Sequence, residues 1–261
     1  MRQDRRLTFL MSDSDAHSPV ITWKADKVSK AHIVIHNYAV DFWMARAAVL
    51  IIALLQLLLV NDLTFGPRWL APAIEFAMLV PLSIATAWNQ AKVRVATVEH
   101  HWQAIGNYRL WIRRAAILLT GVISLINCGA LFELVKNLLQ GHGGSAQTLL
   151  VDALNIWVTN VIIFALWFWS TDRGGPPTCG LTKRAEADFL FPQMTLQDRE
   201  LGNWIPGFID YLFLAFTNAT AFSPTDTLPL TARAKLLMMT EAMISLLTVA
   251  LVAARAVNIL A

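Results

Sequence analysis

The chain carries little charge for its size: Asp, Glu, Lys and Arg make up 15% of its 261 residues, while 56% are apolar and the mean hydropathy is +0.50. That balance excludes an ordinary soluble domain, in which about a quarter of residues are charged. Cysteine is scarce, with Cys128 and Cys179 alone. Two thiols this far apart match no metal-ligand spacing and have no evident partner, so both read as free. A Gly-rich phosphate loop, a nucleophile elbow and an HExxH pair are all missing. His100 and His101 are adjacent, so they point to different helix faces and read as a solvated interfacial pair rather than as ligands. The expectation is a protein that is not an enzyme, with no cofactor and no metal. The net charge of +3 comes without interleaved aromatic and basic residues, which argues against a nucleic-acid partner.

What the chain does have is long apolar runs. Five approach the roughly 20 residues that a helix needs to cross a hydrocarbon core about 30 Å thick: residues 42–60, 69–88, 115–135, 149–170 and 236–254. A shorter, more polar candidate follows Pro206. The expected fold is therefore all-α, a polytopic membrane helix bundle of five spans plus a short sixth membrane segment at 205–224, a half-helix or a full span. Most of the tryptophans stand near predicted span ends, Trp43, Trp69, Trp88 and Trp111 among them, where an amphipathic ring gains by lying at headgroup level. The N-terminus has a twin arginine, Arg5-Arg6, but too short an apolar stretch after it for a secretory signal. Residues 1–41 read as a retained tail and 42–261 as the membrane domain, within which 170–204 is a polar loop.

Lysine and arginine are unevenly placed. Six precede the first span, five lie between the second and third, and four lie in the loop 171–204, whereas Arg68 and Lys136 stand alone in the alternate loops. Basic loops stay in the cytoplasm, so the bias predicts an inside N-terminus and an inside 171–204 loop, in the plasma membrane. Within that loop, "DFLFPQ" reads as a stretch that packs on the membrane face.

Ionisable groups inside a span cost about 2.5–3.5 kcal/mol on insertion scales, so each needs an explanation. The candidates are Glu75, Glu133, Asp152, Asp210 and Glu241, of which Glu75 and Glu241 lie deepest. The fourth run adds Asn155, Thr159 and Asn160 to Asp152, on one helix face. Such a stripe faces either water or another helix.

The stretch "FTNATAFSPTDTLPLT", residues 216–231, places five Thr, two Pro and an Asp between two apolar runs, with no Gly. Pro206 can open a helix here and Pro224 must end it. The 17 residues between span about 26 Å, marginal for a crossing. If the helix stops near Asn218, extended backbone follows at membrane depth, which is tolerated only where protein or a water-filled cavity satisfies it.

A short helix, T-x-x-T, a D-x-x-P turn and a long apolar helix resemble the pore hairpin of potassium-type channels, on Thr217, Thr220, Asp226 and Pro229. In those channels Gly-Tyr-Gly precedes the Asp and its carbonyls replace the ion's hydration shell. Here Ser223, Pro224 and Thr225 stand in that place, so the resemblance implies no potassium-type filter. Residues 150–261 also resemble bacterial predicted membrane proteins of unknown function that carry "DRGGP" (Asp172–Pro176), "DFLFPQ" and "FTNATAFSPTD". That likeness implies a location and no mechanism. The functional expectation is a channel-like homo-oligomer in the lipid bilayer, a tetramer if the channel likeness holds, in which Thr217, Asn218, Thr220, Ser223, Thr225 and Asp226 face a path for monovalent cations. The alternatives are a non-conducting scaffold, in which the polar stretch caps helices, and a proton-coupled transporter using Glu75, Glu133 and Glu241.

Overall fold

The computed structural model describes residues 40–59, 69–95, 99–140, 146–175, 187–195, 204–220 and 226–260, with side chains left aside at 85–110, 146, 174 and 255–260. All of these belong to one compact unit, 40–261; the predicted tail falls outside them except for Val40 and Asp41. Six helices account for most of this unit: α1 (Val40–Leu57), α2 (Leu70–Val95), α3 (Glu99–Gln140), α4 (Ala146–Thr171), α5 (Phe208–Thr220) and α6 (Ala232–Leu260). Two strands of two residues, β1 (Phe189–Leu190) and β2 (Leu228–Pro229), pair antiparallel with Phe189 opposite Pro229 and Leu190 opposite Leu228.

Among the described residues four helices are long and apolar enough to cross a membrane: Val40–Leu57, Trp111–Gln140, Gln147–Thr171 and Ala232–Ala254. They mark the chain as an all-helical integral membrane protein. The remaining predicted span, 69–88, lies in α2; its described side chains reach only Ile84, and over them Leu70–Ile84 is a shorter apolar helix. Within the predicted segment 205–224, Phe208–Thr220 form α5, 13 residues long and about 20 Å; 221–224 lie outside the described residues.

α4 is the central helix, with 67% of its span buried against 17% for α6. It packs on α3, α5 and α6, and α5 packs on α6. Isoleucine, phenylalanine and alanine from Val161 to Phe168 form the middle of the core, against Ile52 of α1, Ile123 of α3 and Leu214 of α5. Contacts along α4 fix the direction of its neighbours. Phe42, at the start of α1, stacks edge-on against Trp169, while Leu55, near its end, accepts a hydrogen bond from Asn155. α1 therefore runs antiparallel to α4. α6 does too, since Arg233 reaches the Thr171 carbonyl and Ser245 meets Asn160.

Candidate functional site

α5 starts beside the C-terminal end of α4. Asp41 of α1 accepts the Phe208 amide at 3.1 Å, Asp210 accepts the Gly207 amide at 2.7 Å, and the Phe208 ring lies 5.8 Å from that of Trp169. Two carboxylates at a helix N-terminus satisfy amides that have no intrahelical partner and complement the positive end of the dipole. One turn later the Tyr211 hydroxyl donates to Asp172 Oδ2 at 2.5 Å, immediately after α4.

The chain comes back to the same end. β2 pairs with β1, the Leu230 amide donates to the Asp188 carbonyl at 2.8 Å, and the Thr231 hydroxyl donates to Asp188 Oδ1 at 2.5 Å. Thr231 also accepts the Ala234 amide at 3.2 Å, capping α6. Arg233 donates to Asp188 Oδ2 and, at 3.1 Å, to the Thr171 carbonyl. Asp188 and Asp172 are tied together, because the Asp188 amide donates to Asp172 Oδ1 at 2.7 Å. Both acids are buried, 2% and 3% exposed, and together they hold both limbs of the 204–231 segment. The eight residue steps from Thr220 to Leu228 reach at most about 28 Å, enough to retrace α5.

Asp172 lies just beyond the α4 span, and burial pushes its carboxyl above the ordinary carboxylate range; the Tyr211 hydroxyl, the Asp188 amide and Arg173 pull it back down, while the Asp188 carboxylate pushes up again. The connection after it is strained. Arg173 takes a left-handed φ of 50° and Gly175 a φ of 85°, and a Cβ on Gly175 would lie 2.8 Å from the Ser170 carbonyl oxygen. Only glycine takes that conformation without cost.

The tip of α5 points into the bundle. Asn218 donates to the Met238 carbonyl at 2.9 Å and to Glu241 Oε2 at 2.7 Å, and Phe216 packs edge-on against Trp157, 6.0 Å between centroids. Glu241 is 0% exposed, and its Oε1 is buried without a hydrogen-bond partner among the described residues. One turn further along α6, Ser245 accepts from Asn160 of α4 at 3.0 Å. Further back along the α4 stripe, Asn155 donates to the Leu55 carbonyl at 2.6 Å, and the neighbouring Gln56 donates to Glu75 at 2.6 Å. Glu75 leaves its Oε2 buried and without a partner among the described residues. The α4 stripe thus lies between two buried carboxylates contributed by other helices.

The residues singled out from the sequence are distributed as follows. Asn218 and Glu241 meet, while Glu75, Asn155 and Asn160 are buried in helix contacts and Asp152 is fully buried in α4. Glu133 stands apart, paired with Lys136 at 3.1 Å near the end of α3. The Thr217 hydroxyl donates to the Phe213 and Leu214 carbonyls, and that of Thr220 to the Thr217 carbonyl. Ser223 and Thr225 lie outside the described residues, and Asp226 is exposed. "DFLFPQ" does not lie on a membrane face. Phe189 and Phe191, 0% and 4% exposed, fill the end of the bundle against Phe168 and Tyr211. The same reading missed Asp172, Asp188, Tyr211 and Arg233 as a group. Their signal was present, since "DRGGP" and "DFLFPQ" each open on one of the two acids. Compared with models of protein families, with curated proteins and with solved structures, the chain has no match.

Proposed function

We propose that this is a multi-pass protein of a bacterial inner membrane in which 205–231 is a re-entrant, pore-loop-like segment. In a homo-oligomer, tetrameric by analogy with pore-loop channels, it borders a path for monovalent cations. The observation that carries this reading is the attachment of both limbs of 204–231 to one end of the bundle, through Tyr211 to Asp172 and through Thr231 and Arg233 to Asp188, while Asn218 at the tip bonds Glu241.

Physical chemistry gives such a segment a use. A helix ending inside a bilayer directs its negative dipole end, equivalent to roughly half a charge, at whatever lies beyond it. This favours a cation and disfavours an anion beyond that end. Backbone that is not helical survives at membrane depth only where protein or water satisfies it. Arg113 of α3 lies beside Gly175 at the end where the segment enters, next to Arg173, so the positive-inside bias makes that end cytoplasmic. The reading assigns no catalytic role to any residue.

A second reading has its own observation. The Thr217 and Thr220 hydroxyls donate to carbonyls of α5 itself, which is what a helix-capping lock in a non-conducting scaffold would do. Cation flux into liposomes holding the purified protein separates the two. Under a potassium and sodium gradient, flux that Asp226→Asn or Glu241→Gln alters supports the path; no flux from folded, correctly oriented protein supports the scaffold.

A further inference from the structure

Gln56 stands in the last turn of α1 and Glu75 in the second turn of α2, and both are buried, 6% and 1% exposed. The Gln56 amide nitrogen donates to Glu75 Oε1 at 2.6 Å, and nitrogen is the end of an amide that a carboxylate accepts. That bond leaves two oxygens over. Gln56 Oε1 and Glu75 Oε2 are each buried without a hydrogen-bond partner among the described residues. Nor does an ion pair among the described residues reach Glu75. The surroundings are apolar, since Leu59, just beyond α1, packs with Leu131 and Leu134 of α3 and Ile156 of α4. Glu241 also leaves an oxygen over, but among the described residues only Gln56 and Glu75 do so as a bonded pair.

A buried carboxylate without a countercharge is costly, and two buried acceptors without donors forfeit the hydrogen bonds that water gave them. One cation held by both oxygens removes both costs. The backbone here leans the same way. The Gln56 carbonyl takes the Leu59 amide at a long 3.4 Å, and its second lone pair can serve an ion as well. The last turn of α1 also carries the negative end of the helix dipole. Oxygen ligands select a hard cation over a soft transition metal. A single carboxylate neutralises a monovalent ion, whereas a divalent one would leave a net charge inside the bundle. With the two side chains 2.6 Å apart at their bonded atoms, the smaller sodium ion fits better than potassium.

We propose that Glu75 Oε2 and Gln56 Oε1 bind a sodium ion, which fastens the end of α1 to the start of α2. The site is separate from the 204–231 segment and stands whether or not cations permeate. Purified full-length protein in detergent is equilibrated with radioactive sodium chloride, choline chloride holding the ionic strength constant, and bound sodium is counted per chain. The expected result is saturable binding from which Glu75→Gln removes one ion per chain, by weakening that site at least tenfold. Gln56→Met should do the same, and serves alone if Glu75→Gln does not fold. Sodium at tenfold its dissociation constant should also raise the wild-type Tm by about 3–6 °C over choline, and Glu75→Gln should abolish the rise. No saturable sodium binding by folded wild-type protein would mean that Glu75 holds a proton instead, and would overturn the proposal. Wild-type binding by folded Glu75→Gln or Gln56→Met would overturn it too. Sodium lost in Glu241→Gln but kept in Glu75→Gln would do the same, and would favour the path beside α5.

Discussion

Replacing Asp188 by asparagine probes the clasp that holds the returning limb. The side chain is 2% exposed and accepts from Thr231 and Arg233. Asparagine keeps the volume and one acceptor oxygen, so no cavity forms and Thr231 retains a partner. What is lost is the charge facing Arg233. A hydrogen bond to a charged group contributes about 1.5–3 kcal/mol, and because the Arg233 side chain is 53% exposed, solvent screening holds it to the low end. Adding about 0.5 kcal/mol for the weaker Thr231 contact gives a loss of about 2 kcal/mol. At about 2–4 °C per kcal/mol for a chain of this size, Tm should fall by roughly 4–8 °C. The assay is thermal unfolding in detergent, followed by tryptophan fluorescence. A double-mutant cycle with Thr231→Val should give a coupling of about 0.5 kcal/mol. A variant melting within about 1 °C of wild type, together with an additive cycle, would show that Asp188 does not hold the return limb.

Three further outcomes follow. Gly175→Ala should cost about 3 kcal/mol, from the positive φ and from the Ser170 carbonyl 2.8 Å from the new Cβ; a melt within about 0.5 kcal/mol of wild type would contradict the strain. Asp172 has a folded-state pKa raised above 3.8, so the folded chain binds the proton more tightly than the unfolded one. Its contribution to stability is full below the unfolded value and is lost as pH rises through the folded value. Melts taken from pH 4 upwards should show this decline, and Asp172→Asn should flatten it; identical profiles would remove Asp172 as the source. If cations permeate, Glu241→Gln should change the pH dependence of flux, and a wild-type profile would leave Glu241 a packing residue.

The apolar helices were legible because span length and hydropathy are properties of a local run, and α1, α3, α4 and α6 carry that run without interruption. α5 was half legible. Pro206 and Pro224 bounded it, but whether it crossed or turned back depended on where Leu228–Pro229 paired, and a two-residue strand has no periodicity to read. The meeting of Asn218 with Glu241, and the convergence of Asp172, Asp188, Tyr211 and Arg233, join residues far apart in the chain. Spacing on a single helix says nothing about them. "DFLFPQ" misled for the same reason, since apolar residues in a polar loop suit a membrane face and a bundle end equally until the partner rings are known. Glu75 and Glu241 were marked as deep because each lies among apolar neighbours, and burial in the bundle followed from the same feature.

The central claim is that the chain enters and leaves through one end of the bundle around α5. The most direct test is side-specific labelling with a membrane-impermeant maleimide, in a Cys128→Ser, Cys179→Ser background carrying one new cysteine at Trp204, Leu228 or Arg109. Cysteines at 204 and 228 labelled from the same side as the one at 109 are the predicted result. Labelling of 204 and 228 from opposite sides would make 205–224 a full crossing and contradict the account.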